Sequence, residues 1–119
     1  MEKNIDYYAN DSFLALQKVN KLLRADMPEF AVKILIELIK RSKKPYIIEE
    51  FKFKLANIYM NMFEGDNYFL FKAKELYKDL INDFPEGDYA LKAKVFIDEI
   101  LMREGKLEPS VVASKYKNS

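Results

Sequence analysis

The chain has 119 residues, of which 50% are hydrophobic and 33% charged, and 20 basic against 19 acidic side chains give it a net charge of +1. This length predicts one domain with a core of its own, and the balanced charge argues against nucleic acid or an anionic membrane as the partner. The lack of cysteine and histidine excludes disulfides and thiolate metal sites, and it removes the commonest zinc ligand and the commonest general base.

Helical periodicity begins near residue 11. Residues 1–10 carry no clear period and are expected to be flexible, and a first helix is predicted over about 11–24. A second helix is predicted over about 28–42, where Asp26 is a candidate cap, Pro28 suits the first turn and Glu29 completes a capping-box-like signature. The first two predicted helices are therefore connected by a short non-helical segment.

Three further long helices follow. The third is predicted over about 46–62, and Asp66 and Asn67 are candidate caps for the fourth. The fourth and fifth helices occupy most of 67–103 and flank a tight turn at 84–88. Apolar residues of the fourth helix recur at the spacing of one helical face, at Ala73, Leu76, Tyr77, Leu80, Ile81 and Phe84. A short last helix is predicted over about 109–116. Gly105 is expected to end the fifth helix, and Pro109 is expected to begin the last one.

The fourth helix repeats the pattern of the second. The two segments match with an offset of 42 residues, as Ala31-x3-Leu35-x2-Leu38 and Ala73-x3-Tyr77-x2-Leu80. Each is followed by a proline, at 45 and at 85, and each is preceded by a helix of similar length. Repeated helical hairpins that bury one face against the next are typical of solenoid proteins. We therefore expect one helical-repeat domain over 1–119, with repeats at about 11–44, 45–85 and 86–116.

These motifs resemble the tetratricopeptide repeat. Ala73-x3-Tyr77-x7-Pro85 resembles the second helix of that repeat, and Leu55-Ala56-x2-Tyr59 resembles the first. The segment 77–93 is similar to repeats in bacterial envelope proteins of the Tol-Pal-associated and outer-membrane-assembly type. The resemblance implies an all-α fold, a right-handed stack of antiparallel helical hairpins with about five long helices and a short C-terminal one. A HEAT-like repeat, of about 40 to 47 residues, is the structural alternative.

Tetratricopeptide arrays hold peptides or partner proteins, mostly on the concave face made by the first helices. The resemblance implies that partner contacts lie on that face, at Gln17, Asn20, Arg24, Lys54, Asn57, Asn61, Lys94 and Asp98. An asparagine side chain can donate and accept hydrogen bonds at once, which suits the backbone of an extended peptide. Lys54 and Lys94 suit a carboxylate. The alternative interpretation is that all eight are ordinary solvated positions.

The sequence offers no catalytic constellation, so we expect no enzyme activity, no cofactor and no metal. Acidic neighbours such as Glu49 and Glu50 point in different directions on a helix. The only three glycines, at 65, 87 and 105, do not form a phosphate-binding loop.

The predicted function is a non-catalytic interaction module or scaffold in a larger, bacterial assembly, of the envelope, motility or secretion type. The alternative is a soluble chaperone that holds an unfolded client segment in its groove. The expected partner is another protein or peptide, homo-oligomers are left open, and no nucleic acid or membrane span is expected. Residues 1–6 lead into polar sequence, so the chain as it stands is expected in the cytoplasm, or in the envelope if a targeting segment has been removed.

Aromatic side chains cluster near the start of the fourth helix, at Tyr68, Phe69 and Phe71. Two interpretations are open. The cluster is either an exposed binding or dimerisation patch, or a set of rings that fills the gap between adjacent hairpins.

Overall fold

The computed structural model describes residues 12–62 and 66–106, and in these ranges it contains helices and no strand. The five helices are α1 (Ser12–Arg24), α2 (Pro28–Arg41), α3 (Pro45–Met62), α4 (Asn67–Asp83) and α5 (Ala90–Arg103). The all-α prediction is confirmed, and the helices begin and end within one or two residues of the predicted positions. The predicted helix over 109–116 and the predicted flexible segment 1–10 lie outside the described residues.

The break between α1 and α2 differs from the prediction. Asp26 does not cap α2, since Met27 occupies the N-cap position and no side chain caps the helix there. Asp26 instead has a φ of 58°, in the left-handed region, and its N–H donates to the carbonyl of Leu23 at 3.1 Å while Met27 N–H donates to Leu22 at 2.9 Å. These bonds satisfy the last carbonyls of α1, so Asp26 ends one helix rather than beginning the next.

The start of α4 agrees with the prediction. Asp66 has an extended backbone, and its side chain accepts a hydrogen bond from the N–H of Tyr68 at 2.9 Å. A side-chain acceptor at this position satisfies one of the four N–H groups that the first helical turn leaves unpaired.

Each helix packs mainly against its neighbours in the chain: α1 on α2, α2 on α3, α3 on α4 and α4 on α5. Alanine lies at the centre of these contacts, since Ala56, Ala73 and Ala93 have no exposed surface at all. Small side chains at such positions let helix axes approach closely. The result is a slab of helices with principal extents of 49 × 31 × 19 Å.

The core between α3, α4 and α5 is built around Tyr77, which is fully buried. Its ring centroid lies 6.0 Å from that of Phe53 on α3 and 5.5 Å from that of Phe96 on α5. Phe53 also stacks on Tyr89 at 4.6 Å, just before α5. Aromatic pairs at these separations add about 0.5–1.5 kcal/mol each beyond the area they bury. The ring cluster therefore fixes α5 against α3 through α4.

The turn between α4 and α5 packs tightly against α3. The Gly87 N–H donates to the carbonyl of Phe84 at 2.9 Å, and Ala90 N–H donates to the carbonyl of Gly87 at 3.3 Å. A Cβ at Gly87 would overlap the carboxylate oxygen Oε2 of Glu49 and would lie 3.1 Å from the carbonyl oxygen of Phe84. Oε2 of Glu49 is itself buried and has no hydrogen-bond partner among the described residues. A side chain at this turn would therefore have to displace the end of the Glu49 side chain.

We predict that Gly87→Ala lowers the free energy of unfolding by about 1 kcal/mol or less, because the added methyl group displaces only the end of the Glu49 side chain and presses on the Phe84 carbonyl, while the loss of a glycine offsets part of that cost. Urea denaturation followed by circular dichroism measures the change. In a Glu49→Ala background the loss should shrink, because the carboxylate is gone and only the Phe84 contact remains. An equal loss in both backgrounds would show that Glu49 does not restrict this position.

Candidate functional site

A groove runs between α1 and α3 on the face where the sequence places the candidate partner contacts. Leu16 and Asn20 of α1 line one side of it, and Glu50, Phe53, Lys54 and Asn57 of α3 line the other, with Tyr89 at one end. Its volume is about 270 Å³. We call it the α1–α3 groove.

A second, smaller cavity continues the same surface. It has a volume of about 180 Å³, and it is lined by Lys54 and Asn57 again, together with Asn61 and the apolar residues Leu23, Ile58 and Met62. Lys54 and Asn57 therefore lie between the two depressions and are accessible from both. Four of the eight predicted contact residues, Asn20, Lys54, Asn57 and Asn61, lie along this surface.

The other four predicted residues lie elsewhere. Gln17 lines a separate depression of about 220 Å³ on α1. Arg24 and Lys94 are exposed but do not line the α1–α3 groove or the cavity beside it. Asp98 is only 5% exposed and so offers a partner little surface. Whether any of the eight contacts a partner stays a prediction.

Asn57 forms hydrogen bonds that stabilise the core, and it also lines the groove. The buried hydroxyl of Tyr77 donates a hydrogen bond to Oδ1 of Asn57, and Sδ of Met60 lies 3.7 Å from the same hydroxyl. The backbone carbonyl of Asn57 accepts from Nδ2 of Asn61 at 3.0 Å. With Oδ1 held by Tyr77, the side-chain NH₂ of Asn57 is the group best placed to reach a ligand.

The α1–α3 groove carries charges of both signs. Lys54 makes no hydrogen bond or ion pair within the described parts of the chain, so its ammonium group is available to a ligand. Burial raises the pKa of Tyr89 at the groove end, and the nearby carboxylates of Glu50, Glu49 and Asp88 raise it further. Nζ of Lys92 lies 5.8 Å from the centroid of the Tyr89 ring, so this end of the groove has a cation beside its carboxylates.

Sequence reasoning missed Glu50, Phe53 and Tyr89 as groove residues. The sequence pattern could have identified Glu50, because Glu50, Lys54, Asn57 and Asn61 follow the i, i+4, i+7, i+11 spacing of one helical face. No sequence signal placed Tyr89, which reaches the groove only because the turn at 84–88 folds back onto α3.

The aromatic cluster at the start of α4 divides between its two interpretations. Phe69 packs inward, with its ring 5.7 Å from that of Tyr59. Tyr68 and Phe71 are 59% and 52% exposed. The cluster is therefore partly packing and partly surface.

Residues 12–62 and 66–106 contain no group of three or more acidic side chains arranged to hold a metal ion. In the same ranges, no helix has the length and hydropathy needed to cross a membrane. Comparison with protein-family models, with curated proteins and with solved structures found no match.

Tyr77 should make the stability of the fold sensitive to alkaline pH. Burial raises the pKa of its hydroxyl above the usual 10.0, with a smaller rise from Glu99 opposed by Arg103. The unfolded chain therefore loses this proton at a lower pH than the folded chain, so the stabilisation is complete below about pH 10 and declines above it. Urea denaturation between about pH 8 and 11 should show a steeper loss for the native chain than for Tyr77→Phe. Equal slopes for the two proteins would contradict the assignment of this pH dependence to the Tyr77 hydroxyl.

Proposed function

We propose that this chain is a non-catalytic protein-interaction module, a tetratricopeptide-like helical repeat that binds a short segment of another protein in the α1–α3 groove. The observation that carries the proposal is the juxtaposition of Asn20, Lys54 and Asn57 in one groove. These residues come from helices that are distant in sequence, and the repeat pattern assigns them to the same face. The packing of each helix on its chain neighbours supports a solenoid arrangement of the hairpins.

The groove suits an extended peptide because its polar groups match a peptide backbone. The amide groups of Asn20 and Asn57 can donate to backbone carbonyls, and Asn20 can also accept from an N–H group. Phe53 provides an apolar, half-buried surface beneath them. A volume of about 270 Å³ admits only a few side chains, so the bound segment is short.

The charges of the groove set a preferred orientation for the segment. A carboxylate, from a side chain or from a chain terminus, is placed at Lys54, and a neutral or basic residue is placed at the Tyr89 end beside Glu50. Such complementary charges determine orientation and selectivity more than overall affinity.

Lys54→Glu tests this proposal directly. Peptides selected from a random library on the immobilised native chain should lose about tenfold or more in affinity for Lys54→Glu, because an attractive charge becomes repulsive on the wall of the groove. Fluorescence anisotropy of labelled peptides measures the loss. Asn57→Ala is a poorer test, because it also removes the acceptor of the buried Tyr77 hydroxyl.

Lys40→Glu is the matched control, since it makes the same charge change on α2, which contributes nothing to the α1–α3 groove. Its affinity for the selected peptides should stay within about twofold of the native value. If the two variants bind equally well, or if no peptide can be selected, the groove is not the binding site that we propose.

A further inference from the structure

The α1–α3 groove and the smaller cavity beside it follow one another along the same two helices. Lys54 and Asn57 of α3 line both depressions. The groove extends from them towards Tyr89, whereas the cavity extends towards Met62 at the end of α3. We call this smaller cavity the side cavity. A peptide that fills both depressions therefore passes Lys54 in the middle of its length and not at its end.

Lys54 is a half-buried cation without a partner. It forms no ion pair and no hydrogen bond within residues 12–62 and 66–106, not even with Glu50, which lies one turn earlier on α3. Two other lysines with little exposure do have partners, since Nζ of Lys52 lies 3.9 Å from a carboxylate oxygen of Asp83 and Nζ of Lys74 lies 3.0 Å from one of Glu104. A peptide that covers Lys54 must supply an anion, because a buried charge without a partner is costly.

The side cavity is apolar on the side away from Lys54. Leu23 of α1 and Ile58 and Met62 of α3 form that part of its wall. Its volume of about 180 Å³ is below the range of about 300–1,000 Å³ for pockets that enclose small molecules, so it suits a single side chain. Met62 is 37% exposed, so part of the wall still has surface to bury. The burial of that surface favours an apolar side chain.

Helix geometry determines how far apart the two contacts lie. Lys54 and Ile58 are one turn apart, which is a rise of about 6 Å along α3. In an extended peptide, side chains two positions apart lie on the same side and are about 6.6–6.8 Å from each other. Asn57 lies between the two contacts, and its side-chain NH₂ can donate to the peptide backbone there. The spacing therefore matches an acidic and an apolar residue separated by one residue.

We propose that the α1–α3 groove and the side cavity together bind one extended, internal segment of a partner protein, in which an acidic and an apolar residue are two positions apart. The acidic side chain meets Lys54, and the apolar side chain enters between Leu23, Ile58 and Met62. This inference rests on the proposed function and goes beyond it in two ways. It names the residues that the segment must carry, and it assigns the carboxylate to a side chain and not to a chain terminus.

The probes are the peptides selected from a random library on the immobilised native chain, resynthesised with an acetylated N-terminus and an amidated C-terminus. Their sequences should share an aspartate or glutamate two positions from a leucine, isoleucine, valine or methionine. Capping removes both terminal charges and should leave the affinity, measured by fluorescence anisotropy, within about twofold. Replacing the acidic residue by its amide should weaken binding about tenfold or more, and replacing the apolar residue by alanine about fivefold or more.

Met62→Gln tests the side cavity, because it places an amide in the apolar wall at a partly exposed position. It should weaken the selected peptides about fivefold or more. It should change the affinity of their alanine-substituted forms by less than about twofold, because those peptides already lack the contact. Met27→Gln is the matched control, since Met27 is 38% exposed and lines neither depression. This control should bind within about twofold of the native chain.

The outcomes separate this inference from the proposed function. If no peptide is selected, or if Lys54→Glu binds as well as the native chain, both are wrong. If Lys54→Glu weakens binding but capping the peptide C-terminus abolishes it, the groove holds a chain terminus and only this inference is overturned. It is also overturned alone if the selected peptides share no apolar residue two positions from the acidic one, or if Met62→Gln and Met27→Gln bind them equally well.

Discussion

The hydroxyl of Tyr77 is buried between α3 and α4 and donates its hydrogen bond to Oδ1 of Asn57. A hydroxyl that loses its partner in such a place costs about 1–3 kcal/mol, whereas the satisfied bond adds about 0.5–1.5 kcal/mol. An acceptor at position 57 therefore stabilises the core from a residue that lies at the surface. The same asparagine lines the α1–α3 groove, so the groove surface and the core share one side chain.

The rings around Tyr77 extend this constraint into the groove. Phe53 contacts Tyr77 and Phe96 on its inner side and stacks on Tyr89, and it also forms part of the groove surface. A groove whose polar and apolar groups are both held by the core is preorganised, and preorganisation reduces the ordering cost of any binding there.

Much of the fold could be predicted from the sequence, because the helices follow a clear 3.6-residue period with alanines where packed helices cross. The wrong prediction at Asp26 shows a limit of that approach. Aspartate favours both an N-cap and a left-handed C-terminal position, and only the geometry of the chain between α1 and α2 decides between them. Asp98 shows another limit, since the helical face that carries it was expected to be solvated and the side chain is instead buried.

Only part of the candidate site could be predicted from the sequence. Lys54 and Asn57 follow from the repeat pattern, but the place of Tyr89 depends on how the turn at 84–88 folds back onto α3, which residue spacing does not encode. The most direct test of the account is a double-mutant cycle of Asn57→Ala and Tyr77→Phe, with the free energy of unfolding measured by urea denaturation. We expect Asn57→Ala to be clearly less destabilising in the Tyr77→Phe background, with a coupling of about 1–3 kcal/mol. Additive effects of the two substitutions would contradict the claim that this bond ties the groove to the core.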